Sequence, residues 1–98
     1  MIILTGSITH PLAPTIVLPN AWVVVENVVI REGQARLIWS CSVWATEADK
    51  NNSLPAIGSD GGSVTYDDTQ TVDGQLEPAM IANAAGGQID MSNLAPPA

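Results

Sequence analysis

The sequence predicts a mainly β protein: a small antiparallel sandwich or barrel built on a long hairpin at about residues 20–46, with one short C-terminal helix and an extended tail. Three observations carry this. Residues 21–30 and 37–44 are dense in Val, Ile and Trp, which fit a pleated half-buried surface and lose rotamer freedom in a helix. Arg31-Glu-Gly-Gln34 between them holds the only glycine of the stretch, a residue that tolerates the positive φ of a tight turn. The one segment with helical marks, Glu77 to Ala85, is too short to stand alone and must dock on something.

With Glu32-Gly33 as the two-residue loop, the register assigns faces. Trp22, Val24, Glu26, Val28 and Ile30 lie opposite Val43, Cys41, Trp39, Leu37 and Ala35, and this face reads as core, apolar except for Glu26. The other face carries Ala21, Val23, Val25, Asn27 and Val29 opposite Trp44, Ser42, Ser40, Ile38 and Arg36. It is less polar than the solvent side of a soluble antiparallel sheet. Either other segments of the chain cover it or a neighbouring subunit does. The rest of the chain is short and poor in large apolar residues, so Val23, Val25, Ile38 and Trp44 are taken as interface candidates, with Trp44 the anchor. Glu-Gly is a weaker turn signal than Asn-Gly, which leaves a bulged turn open.

The remaining elements follow in order. Ile2 to Thr9 alternates loosely and reads as a strand, broken by His10-Pro11 and Ala13-Pro14. Thr15 to Leu18 is a short strand stopped by Pro19-Asn20. Glu47 to Gly62 is a polar loop, Ser63 to Val72 a returning strand, and Asp73-Gly74 a turn. Pro78 fits the first position of the Glu77–Ala85 helix and Gly86 its stop, with Met80, Ile81 and Ala84 as the packing face. The expected domain is 1–86. Residues 87–98 form an extended arm, disordered alone, whose apolar residues Met91 and Leu94 are further interface candidates.

Ninety-eight residues allow one modest domain, and a chain without Phe and with a single Tyr has little aromatic bulk for its core. A lone cysteine rules out an internal disulfide, so oligomerisation is the remaining stabiliser. The net charge of −7 is uneven: residues 45–98 hold eight acids and only Lys50 as a base. Three Lys and Arg residues in all argue against nucleic acid and against anionic membranes. No run approaches the ~20 apolar residues of a membrane helix, and Met1-Ile-Ile-Leu4 lacks a basic leader region.

No motif carries specific chemistry. His10 and Cys41 are each single and cannot build a zinc cage. Asp67-Asp68 with Asp60 and Asp73 lacks calcium-loop spacing, and adjacent acids in a strand point to opposite faces. Gly58-Ser-Asp-Gly-Gly62 lacks the lysine and following helix of a phosphate loop. The chain is therefore expected to be non-enzymatic, with no catalytic residue, cofactor or metal. A soluble module that recognises a carbohydrate or peptide through Trp22, Trp39 and Trp44 is the alternative.

The layout resembles small accessory structural proteins of tailed-bacteriophage virions. The resemblance runs through the opening strand Ile2-Ile-Leu4, Asn20-Ala-Trp22 at a strand start, the tight hairpin, Val43-Trp-Ala-Thr46, the polar loop to Leu54-Pro55 and the terminal strand and helix. It covers most of the chain as a pattern of residue types. It implies a virion protein of capsid decoration or cement, of a head–tail junction, or of tail or baseplate assembly. Its partners would be other virion proteins and copies of itself, met through sheet faces and arms.

Overall fold

Nineteen consecutive residues, Ala13–Arg31, form the central strand β2 of a five-stranded antiparallel sheet in the computed structural model, which describes residues 2–97. The other strands are β1 (Ile3–His10), β3 (Arg36–Trp44), β4 (Gly58–Thr65) and β5 (Leu94–Ala95), in the spatial order β4-β3-β2-β1-β5. Two helices, α1 (Glu47–Asn51) and α2 (Val72–Ile81), complete the fold. The mainly β class is as the sequence predicts. The second layer is α2 and the C-terminal segment, laid against one face of the curled sheet.

Curling is forced by length. A straight strand of nineteen residues would span about 60 Å, whereas the longest dimension of the molecule is 39 Å. The strand bends where pairing slips. Opposite β1, Pro19 and Asn20 fall between the pairs Gly6↔Ala21 and Ile8↔Leu18, and Pro14 to Ile16 fall between Thr9↔Val17 and His10↔Ala13. Both prolines lack the N–H that a regular ladder needs. Sequence reading took them as strand ends, but they mark irregularities within one strand. The bends swing the Pro11-Leu12 turn towards β4, so that a Cβ on Gly58 would lie 2.8 Å from the Pro11 ring. The sheet thereby approaches closure on itself.

The β2–β3 connection is a 3-10 turn, Glu32–Gln34, closed by Ala35 in the left-handed region at φ +50° and by an Ala35 N–H bond to the Glu32 carbonyl. The first cross-strand pair is therefore Arg31↔Arg36, two residues further out than a Glu32-Gly33 loop would give. A shift of two leaves faces unchanged. A second irregularity does not: pairing runs Asn27↔Ser40 and then Val25↔Cys41, which makes Glu26 a bulge. Every residue of β2 before it changes face. Val23 and Val25 point into the core, while Trp22 and Val24 lie on the outer face, reversing the expected assignment for these four residues. Leu37, Trp39, Cys41 and Val43 of β3 are buried as predicted.

The core is centred on the row Leu4, Val23 and Val43 across β1, β2 and β3, all fully buried. Leu76 and Met80, four apart on α2, close over it together with Ala85, Met91 and Leu94. The helix starts earlier than the sequence predicts because Thr71 caps it, its hydroxyl accepting from the Gly74 N–H at 3.0 Å. Pro78 lies inside the helix rather than at its first position, and Asn83 in the left-handed region ends it ahead of Gly86. The expected polar loop at 47–62 holds α1, capped by Thr46, and the start of β4.

Residues 87–97 are built into the fold, which corrects the expectation of an arm beyond residue 86. Three devices hold the segment. The Trp39 indole donates to the Ala85 carbonyl at 2.9 Å. The Asp60 carboxylate on β4 accepts from the backbone N–H groups of Gln88 and Ile89 at 2.9 and 3.0 Å. Thr5 and Gly6 pair with Ala95 and Leu94. Glycines permit the close approach: a Cβ on Gly62 would sit 2.1 Å from the Ala85 oxygen, and one on Gly6, at φ +148°, 2.3 Å from the Asn93 oxygen. Met1 and Ala98, the outermost residues of the expected segments, lie outside the described residues.

Candidate functional site

Of the six residues read from sequence as interface candidates, five are buried by the chain itself. Val23, Val25, Met91 and Leu94 belong to the core cluster. Trp44 lies on the outer face but is only 8 % exposed. The helix α1 covers it, with the Lys50 ammonium 5.4 Å from the ring centroid and the indole N–H donating to the Leu54 carbonyl at 2.8 Å. Ile38 is half-buried on the outer face. The mixed face thus finds its cover, around Trp44, in the loop after β3. A five-residue helix with a Thr46 cap is a weak sequence signal, and only that cap could have announced it.

Apart from Leu54 after α1, the large apolar side chains that remain exposed lie at the hairpin ends. At the β1–β2 end Leu12 is 80 % exposed, Val17 63 % and Ile16 50 %. The turn itself is fixed, because the Leu12 N–H donates to His10 Nδ1 at 3.0 Å. Residues 11–25 carry no charge of their own, while Asp90 of the C-terminal segment borders Pro11 and Pro14. At the β2–β3 end Val29 and Ile30 are exposed as well. Scattered exposed apolar residues are ordinary; these three fall within six residues of the chain at the β1–β2 end.

A half-open groove of about 370 Å³ opens on the outer face, between the sheet and α1. Ile3 and Val24, directly paired across β1 and β2, form its floor with Trp22. Glu26 flanks them from the strand, and Lys50 and Asn51 from α1. Glu26 accepts a hydrogen bond from the Ser42 hydroxyl. The sequence register placed Trp22 and Glu26 on the core face, so it missed this site. Glu26 was the available signal, since a carboxylate in the middle of an apolar core face argues for a bulge.

Titratable groups elsewhere serve structure. Burial, and then the charge of Asp60, push the Cys41 thiol up from 9.0 to about 12, which keeps it protonated and non-nucleophilic at neutral pH. Asp67 is held below its ordinary value by the Thr69 hydroxyl and N–H, within the turn that precedes α2. Asp90 is lowered to about 2, chiefly by the Ser92 N–H and hydroxyl and then by Asn83. Among the described residues no group of three or more His, Cys, Asp or Glu is placed to hold a metal ion, and no helix is long and apolar enough to cross a membrane. Comparison of the chain with family models, with curated proteins and with solved structures finds no match.

Proposed function

We propose that the chain is a non-enzymatic structural protein of a virion, acting in capsid decoration or in head–tail or tail assembly. It docks on neighbouring subunits through the exposed end of the β1–β2 hairpin. The observation that carries the reading is the cluster Leu12, Ile16 and Val17, left uncovered by a chain whose other large apolar side chains are mostly packed away. The strand segment that carries these side chains has no charged residue of its own, and the nearest carboxylate, Asp90, borders the Pro11 and Pro14 side of this end. The acidic half of the chain supplies solubility before assembly. The contacts differ from those expected from sequence: the hairpin end replaces the sheet face and the C-terminal arm, both of which the chain uses internally.

Mass spectrometry of density-purified virions produced with the gene present tests the reading. The expected result is the chain at a fixed copy number relative to the major capsid or tail protein, and its loss from particles when Leu12 and Val17 are both changed to Ser. Absence of the wild-type chain from purified particles refutes it.

A further inference from the structure

The three tryptophans are not equivalent. Trp39 spends its indole N–H on the Ala85 carbonyl and Trp44 on the Leu54 carbonyl. Trp22 is half-buried, and no acceptor among the described residues takes its indole N–H. It lies in the outer groove with Ile3 and Val24 and within the frame of Glu26, Lys50 and Asn51. Two of these polar groups are oriented by something else. The Ser42 hydroxyl tethers the Glu26 carboxylate and the Trp44 ring holds the Lys50 ammonium; Asn51 is the last residue of α1.

We infer that this groove is a binding site for a neutral saccharide. The lining discriminates among ligand classes. A purely apolar ligand would cover Glu26 and Lys50 without pairing either, at the cost of desolvating both. An anion that pairs with Lys50 faces the Glu26 carboxylate, and a cation that pairs with Glu26 faces the Lys50 ammonium. An extended peptide binds along a sheet edge through its backbone, whereas this groove lies on the face of β1 and β2, whose backbone groups are engaged in the sheet.

A sugar ring matches what is present. Its C–H face packs on an aromatic plane and an aliphatic floor. Its hydroxyls both donate and accept, so they satisfy a carboxylate that only accepts, an ammonium that only donates and an amide that does both. The groove's volume, about 370 Å³, is at the lower end of small-molecule sites. It therefore suits a short saccharide segment or a chain terminus rather than a long polymer. The site stands apart from the apolar hairpin end and does not depend on the assembly reading.

The test uses the full chain, labelled with nitrogen-15 and titrated separately with maltotriose, cellotriose, chitotriose and lactose up to about 20 mM, well above the millimolar Kd that corresponds to roughly 4 kcal/mol. The expected result is a saturable shift of the Trp22 indole signal with at least one of these sugars, while the Trp39 and Trp44 signals stay in place. Glu26→Ala and Asn51→Ala each weaken that binding about tenfold, the loss of one hydrogen bond to a sugar hydroxyl. Both leave the Trp39 indole signal at its native position, which certifies the fold. The Leu12→Ser/Val17→Ser variant binds as the wild type does, so failure here and failure of the assembly reading are distinguishable. No saturable shift with any of the four sugars, or a shift that survives both Glu26→Ala and Asn51→Ala, overturns the inference.

Discussion

Cys41 and Asp60 face each other across β3 and β4, one as a buried thiol and the other as a carboxylate that the backbone recruits. The thiol's value in the folded chain, about 12, lies above its ordinary 9.0. A raised folded value means that this residue's contribution to stability is complete below pH 9.0 and is lost as pH climbs towards about 12. Denaturant titrations across that window are expected to show the wild type losing up to about 1.4 kcal/mol per pH unit more than Cys41→Ala; parallel curves would show that the thiol is not desolvated. Asp60 carries a different load. It accepts from Gly61, Gln88 and Ile89 at 2.9 to 3.1 Å. Asp60→Ala leaves those donors without a charged acceptor and is expected to cost about 2–3 kcal/mol. Faster amide exchange at Gln88 and Ile89 is the local readout that separates this loss from a general loosening.

At the scale of elements, Glu26 decides which side of β2 meets the core. Alternation made the two β-rich runs of the hairpin legible, and it placed Leu37, Trp39, Cys41 and Val43 on the buried face. The same alternation failed across residues 21–25, because period-two reading has no means of counting an extra residue unless an incongruous side chain betrays it. Glycine misled in a related way. Gly58, Gly61 and Gly62 read as loop, yet they lie in β4, where Gly62 admits the Ala85–Gly86 backbone. Such close approach depends on residues distant in sequence and leaves no local mark. Two variants probe this level. Deleting Glu26 removes the extra residue and leaves Asn27↔Ser40 and Val25↔Cys41 as consecutive pairs, so Val23 and Val25 stay inward, Trp22 and Val24 stay outward, and the product is expected to keep the fold. A deletion variant that loses the native Trp39 indole signal would show that the local bend at Glu26, and not only its count in the register, is needed. Gly62→Ala forces the C-terminal segment away from β4 and is expected to cost about 1–3 kcal/mol, visible as loss of the Trp39 to Ala85 bond.

For the molecule as a whole, the question is which parts of a small chain are committed to its own stability and which are left for others. Met91 and Leu94 are as buried as the strands' core residues. Replacing either by Ala is expected to cost about 2–5 kcal/mol, against a total stability on the order of 5–15 kcal/mol for a domain. Truncation after Gly86 removes both side chains, the Gln88 and Ile89 donors to Asp60 and β5 at once, so the shortened chain is expected to be unfolded. Hydrogen exchange of the full chain is expected to protect Met91 and Leu94 amides nearly as well as those of β3. Free exchange there, with a truncated chain that still folds, would return residues 87–97 to the role of an arm. The β1–β2 end makes the opposite commitment. Leu12 and Val17 contribute little to a core they do not enter, so Leu12→Ser/Val17→Ser is expected to change stability by no more than about 0.5 kcal/mol per site. A large drop in melting temperature in that variant would mean that the hairpin end is part of the chain's own packing, and the surface offered to neighbours would have to be sought at Val29 and Ile30 instead.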